Sequence, residues 1–283
     1  MSTAPHLEAG SLLLIADESL APALLEQAAP VLTQGGVVFH QEPAPSAAGP
    51  RRLVLFDGRL TPAHAESLRR EPPALLLASR GPEGRPSAWE VRLLGALLRG
   101  RSLLPEGAAV TRHRLQRVAD INTTADVAAA AVRQAAGSRA AAGLVADVVH
   151  ELGVNALLDA PVDAKGQQRY AHRRTEVSEV ADEDACELAY TVEEGRMWLE
   201  VVDRFGGLRP GPFARALEGW GGRVQVDASG GGAGLGLRRI LEHSDTVAVR
   251  VAAGRESRVL CVVDLGEARR RATQPKSLLF CLQ

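Results

Sequence analysis

Four short apolar runs, separated mainly by amphipathic stretches, fill the first eighty residues and leave few folds open to them. SLLLIADE (11–18), GVVFHQ (36–41), RLVLFDG (52–58) and PALLLAS (73–79) are rich in Val, Leu and Ile, so each reads as a buried strand. Helical patterns lie at APALLEQAAPVL (21–32) and TPAHAESLRR (61–70), with a Pro/Ala loop at 43–50. Such alternation predicts βα units around a parallel sheet. A turn-rich break at Gly81–Pro86 precedes a further helical pattern, SAWEVRLLGALLRG (87–100).

The middle of the chain changes character. From Ala119 to Leu158 it is helical and alanine-rich, with Asn122-Thr-Thr as a helix start and a break at Gly137-Ser138. A second helix follows from about Ala140 to Ala160, stopped by Pro161. Residues 162–183 are polar and loop-like. ELAYTVEEGRMWLEVVD (187–203) reads as a hairpin turning at Glu194-Gly195, and TVAVRVAAGRESRVLCVVDL (246–265) as a second around Gly254. The last segment is basic and then apolar. These shifts divide the chain into domains at 1–105 and 106–268 and a tail at 269–283.

A net charge of −1 and a pI near 6.7 supply no field for nucleic acid or an anionic membrane. The longest apolar runs, such as Leu12–Ala16 and Ala74–Ala78, fall far short of a membrane span, and no signal-peptide pattern opens the chain. The expectation is no membrane insertion. Cys186, Cys261 and Cys281 form neither a metal-type pair nor a disulfide framework, which reads as a reducing cytoplasm. Lysine occurs only at Lys165 and Lys276, neither in a Gly-Lys-Ser/Thr context, so a Walker phosphate loop is excluded.

Three clusters carry chemistry. In VVHELGVNALLDAP (148–161), Glu151 and Asn155 are four residues apart and share one helical face. The plainer alternative is a solvated polar face. In LEVVDRFGGL (199–208) an apolar strand runs into Asp203, followed by Gly206 and Gly207. An acid there can accept a hydrogen bond from an exocyclic amine, while glycines admit close backbone approach; a tight turn would look the same. In SGGGAGLGLRRILEHSD (229–245), five glycines in seven positions precede an amphipathic helix. Free N–H groups at a helix start suit an anion, and a flexible surface loop is the alternative.

An E-x-x-x-N helix, a strand ending in Asp, a G-x-G-x-G stretch opening a helix and then a hairpin together resemble the GHKL (Bergerat-fold) ATP-binding family, over about 120–265. The anti-sigma/serine-kinase branch is the nearest likeness. The resemblance implies an α/β sandwich with a mixed sheet holding ATP and Mg²⁺. By it, Glu151 matches the general base and Asn155 the Mg²⁺ ligand, and Asp203 matches the acid that reads the adenine amino group. Gly207 falls in the first glycine box, and Gly232, Gly234, Leu235 and Gly236 in the phosphate-side box. Ser257 sits where a Thr often assists the adenine-reading Asp, and 208–231 would form a lid. Two positions depart: Phe205 replaces the first glycine of D-x-G-x-G, and Asp159 stands where kinases often carry His or Lys.

In the N-terminal part, Asp17-Glu18 and Asp57 end two strands forty residues apart, with Ser79 ending another. This resembles a response-regulator receiver, but the required lysine and a fifth strand are missing, so the expectation is a degenerate receiver-like domain used for binding. The functional expectation is a cytoplasmic signalling protein that binds Mg²⁺-ATP and slowly hydrolyses it or phosphorylates a protein Ser/Thr. The alternative is a nucleotide-gated interaction module without turnover. Either implies a protein partner, and a homodimer stays open.

Overall fold

Among the described residues, ten strands join in one mixed sheet flanked by seven α-helices. A computed structural model describes residues 12–21, 23–40, 51–221, 233–266 and 275–283. The N-terminal elements are β1 (Leu12–Ala16), α1 (Leu24–Gln34), β2 (Phe39–His40), β3 (Arg52–Phe56), α2 (His64–Arg69), β4 (Leu75–Ala78) and α3 (Ala88–Leu98). β5 (Thr111–Leu115), α4 (Val118–Ala136), α5 (Arg139–Val154), β6 (Cys186–Glu193), β7 (Arg196–Asp203) and α6 (Pro210–Glu218) follow. The chain closes with α7 (Ala233–His243), β8 (Thr246–Ala252), β9 (Glu256–Asp264) and β10 (Ser277–Leu282).

The sheet order is β2-β1-β3-β4-β10-β8-β9-β7-β6-β5. β1 to β4 are mutually parallel, as βα alternation demands, whereas β5, β6, β7, β9 and β8 form an antiparallel run. Strand alternation sends Leu53, Leu55, Leu75 and Leu77 into a core with α1 and α3. Val54, Phe56, Leu76, Leu199, Val201 and Val259 face the opposite core, under α2 and α4 to α7. The hairpins turn where glycine permits: Gly195 and Gly254 hold φ of +73° and +67°.

Beyond β2, which keeps only Phe39–His40 of the run 36–41, and the polar β5, which the sequence reading lacks, three elements differ from it. α4 starts at Val118, ahead of Asn122, because the Asp120 carboxylate accepts the Gln116 and Arg117 N–H groups at 3.1 and 2.8 Å. An acid three residues into a helix can satisfy donors that the helix leaves orphaned. Second, α5 gives way at Asn155 to a π-type turn through Asp159. Third, the apolar end of the tail is β10, seated between β4 and β8, with Leu278, Leu279 and Phe280 fully buried. Without it, both neighbours would be open edges.

The sheet therefore runs unbroken across residue 105, and polar groups lock the two halves together. Glu90 of α3, fully buried, accepts hydrogen bonds from Thr246 Oγ1 at 2.7 Å and Ser277 Oγ at 2.6 Å, and pairs with Arg80 Nε at 2.8 Å. α2 packs on α6, where Arg69 pairs with Glu218. Arg139–Asp159 is long and apolar enough by composition to cross a membrane, yet over half of its apolar window is buried, with α5 packed on α4 and α7.

Candidate functional site

α5 and α7 meet at Glu151. Its Oε1 accepts Arg239 Nη1 at 2.8 Å. A Cβ on Gly236 would stand 2.5 Å from Glu151 Oε2 and 3.8 Å from Asn155 Oδ1, so α7 reaches both side chains through a residue that has none. The π-type turn starts at Asn155 and packs against β7; such turns recur at functional sites. At its far end Asp159 Oδ2 accepts Arg174 Nη2 at 2.6 Å. Burial pushes the Asp159 carboxyl above its ordinary range, against the pull of Arg174, and the Glu151 charge pushes the same way.

Gly234, Leu235 and Gly236 lie in the first turn of α7 rather than in a loop, and Leu235 is half exposed. Gly232 and the rest of the glycine run lie outside the described residues, as does 222–231 of the expected lid; its earlier part, Pro210–Glu218, is α6. The first N–H groups of a helix have no intrahelical acceptor and point along its axis.

Asp203 ends β7 directly opposite Ser257 of β9, on the sheet face that α5 covers. It is 7% exposed. Its Oδ1 accepts the Phe205 N–H at 2.8 Å and the Gly206 N–H at 3.3 Å, and Ser257 supports the same carboxylate through its hydroxyl and N–H. Burial pushes the Asp203 carboxyl up, and these bonds draw it back toward the charged form. The acid thus organises its own turn and spends much of its acceptor capacity there. Gly206, at φ +60°, is the glycine this turn needs: a Cβ would meet Ala252 O at 2.1 Å. Gly207 faces open space, with nothing within 4 Å of a Cβ.

The N-terminal acids also converge. Ser19 donates its N–H to Asp17 Oδ1 at 2.9 Å and accepts the Asp57 N–H on its hydroxyl at 3.1 Å. His64, unremarked in the sequence, is 7% exposed and sets Nε2 3.8 Å from Asp17 Oδ2. The Ser79 hydroxyl is buried without a partner. Lys276 comes within reach through its backbone, donating its N–H to Gly58 O at 2.8 Å. Its ammonium turns away, to Glu242 O and Ser244 O at 2.9 and 2.8 Å, at the end of α7.

A cleft of about 1020 Å³ opens elsewhere, lined by Trp89, Leu93, Arg99, Leu104, Glu193 and Trp198, and none of the candidate residues borders it. Size alone does not make a site; convergent chemistry does, and that lies at Glu151 and Asn155. No protein-family model matches the chain, and no curated protein matches it. The family likeness rests on the sequence motifs alone.

Proposed function

We propose that the chain binds Mg²⁺-ATP in a GHKL-like half formed by α4 to β9, beside a degenerate receiver-like half, as a cytoplasmic signalling protein acting on a protein partner. The approach of Gly236 to Glu151 and Asn155 carries this reading. It brings two of the three motifs together from far apart in the chain, at the start of a helix suited to phosphate. Asn155 would hold the Mg²⁺. Among the described residues no group of three or more His, Cys, Asp or Glu could hold a metal. Most of the Mg²⁺ shell would then come from the nucleotide's phosphates and from water. Asp203 and Ser257 would read the adenine side.

Glu151 is the candidate base for slow hydrolysis or transfer to a Ser/Thr hydroxyl. Its ion pair with Arg239 favours the second reading, a nucleotide-gated interaction module, because it ties Glu151 Oε1 into a link between α5 and α7. Calorimetric titration of Mg²⁺-ATP into wild type and Asp203→Ala tests binding. Heat in wild type and none in the variant is expected; identical heats, or none in either, would remove the nucleotide claim. Transfer of a labelled γ-phosphate by wild type but not Glu151→Ala would then select the enzyme over the switch.

A further inference from the structure

Two Arg–Asp pairs hold the segment between α5 and β6, and they are built differently. Arg169 Nη1 donates to both Asp184 oxygens, at 3.0 and 2.8 Å, and Tyr170 Oη adds a bond at 2.6 Å. That acid is fully engaged. Arg174 gives Asp159 one bond, Nη2 to Oδ2 at 2.6 Å, while Arg174 Nε and Asp159 Oδ1 are both buried with no partner. Arg258 and Glu200 form a second half-made pair, with Arg258 Nε and Glu200 Oε1 likewise without a hydrogen bond. Arginine and carboxylate frequently meet through two parallel bonds, and a buried polar atom without a partner asks for a reason.

Position supplies one. Asp159 ends the π-type turn that begins at Asn155, and it feels the Glu151 charge, so the half-made pair borders the candidate phosphate region. The residues around it are short of lysine: Lys276 caps α7, and Lys165 lies in the exposed turn after Asp163. The segment has other anchors, since Gln168 Nε2 donates to Asp159 O at 2.8 Å and Arg169 N to Pro161 O at 2.9 Å. Opening the pair would move one side chain and leave the backbone docked.

We propose that Arg174 is a specificity-determining residue that receives the terminal phosphate of a bound nucleoside triphosphate and is held on Asp159 until that phosphate arrives. This rests on the nucleotide reading above. A phosphate offers several acceptor oxygens, so Nε and both Nη groups can be satisfied where one carboxylate oxygen serves only Nη2. The site then separates triphosphate from diphosphate, which lacks the oxygens Arg174 would bind.

The test compares Mg²⁺-ATP and Mg²⁺-ADP affinities by calorimetry for wild type, Arg174→Gln and Asp159→Asn, with thermal melting as the folding control. Arg174→Gln is expected to weaken ATP by about tenfold or more while ADP stays within about threefold. Asp159→Asn, which loosens the hold on Arg174, is expected to strengthen ATP and leave ADP unchanged. A structural tether cannot give opposite signs. Equal losses for both nucleotides in both variants, or unchanged ATP affinity in both, would overturn the proposal. Should Arg174→Gln not fold, the Asp159→Asn sign decides alone. ATP binding lost in Asp203→Ala but untouched in the Arg174 and Asp159 variants refutes this inference only; no nucleotide binding by wild type refutes both.

Discussion

An alanine at position 236 would press its Cβ to 2.5 Å from Glu151 Oε2, closer than atoms tolerate, and to 3.4 Å from Cδ, an ordinary contact. The obstacle is the end of a flexible side chain, so the carboxylate can swing aside. Two stability effects then oppose each other. Alanine improves on glycine within a helix by up to about 1 kcal/mol. Losing the Glu151–Arg239 pair costs about 0–1 kcal/mol, because the Arg239 side chain is 56% exposed and solvent screens it. The net change stays within about 1 kcal/mol, roughly 2–4 °C in melting temperature. Ligand binding has no such offset: the methyl group fills the space between α7 and the Glu151–Asn155 stripe, and misplacing functional groups by about 1 Å can cost roughly 100-fold in activity. Gly236→Ala is therefore expected to melt near wild type yet bind Mg²⁺-ATP at least about tenfold more weakly. Thermal melting and calorimetry on one preparation measure both. Unchanged affinity would show that Gly236 does not face the ligand, and a melting drop well beyond that range would show that α5 and α7 cannot accommodate the shift.

Neighbouring glycines after β7 should behave oppositely: Gly206→Ala, at φ +60° against the Ala252 carbonyl, should lose roughly 2–4 kcal/mol. Gly207→Ala, in open space, should change stability by less than about 0.5 kcal/mol, so similar urea midpoints would contradict the described turn. Glu90→Ala leaves the partly buried Arg80, beside Thr246 and Ser277, without its counter-charge and should cost about 3–5 kcal/mol, with β10 amides losing hydrogen-exchange protection; protection kept at wild-type levels would refute the lock. Burial holds the His64 imidazole below its ordinary value against the pull of Asp17 and Asp57. Below about pH 6.5 the unfolded chain therefore takes a proton that the folded chain resists, and stability falls with pH toward the folded value. Urea midpoints should drop between pH 7 and 5 less steeply in His64→Gln than in wild type, and equal slopes would clear His64 of the effect.

How legible each part was follows from the range of the forces behind it. β1, β3 and β4 were readable because a strand buried on both faces must be apolar at nearly every position, and Glu194-Gly195 was readable because its backbone sits at positive φ. β5 was not: its sequence TRHRL is polar, as suits an edge strand whose Arg112 and Arg114 pair with Glu187 and Asp182. Within the candidate site, the Glu151–Asn155 spacing was legible because helical periodicity is local. Arg239 on Glu151, Arg174 on Asp159 and His64 beside Asp17 were not, since pairing between elements leaves no period in the chain.

Local physics written into the residues accounts for the strand and helix menu, the turns at Gly195 and Gly254, and a polar stripe on an otherwise apolar helix. Tertiary structure alone decided where SLLFCL would go. That run is apolar in any context, but only the simultaneous exposure of the β4 and β8 edges makes it the central strand β10, with Ser277 meeting Glu90 and Lys276 reaching the end of α7. Likewise Gly236 is one glycine among several in its run until α7 packs on α5, where the missing side chain becomes the space that Glu151 and Asn155 face. Hydrophobic periodicity acts over a few residues, whereas edge closure and side-chain pairing act through space.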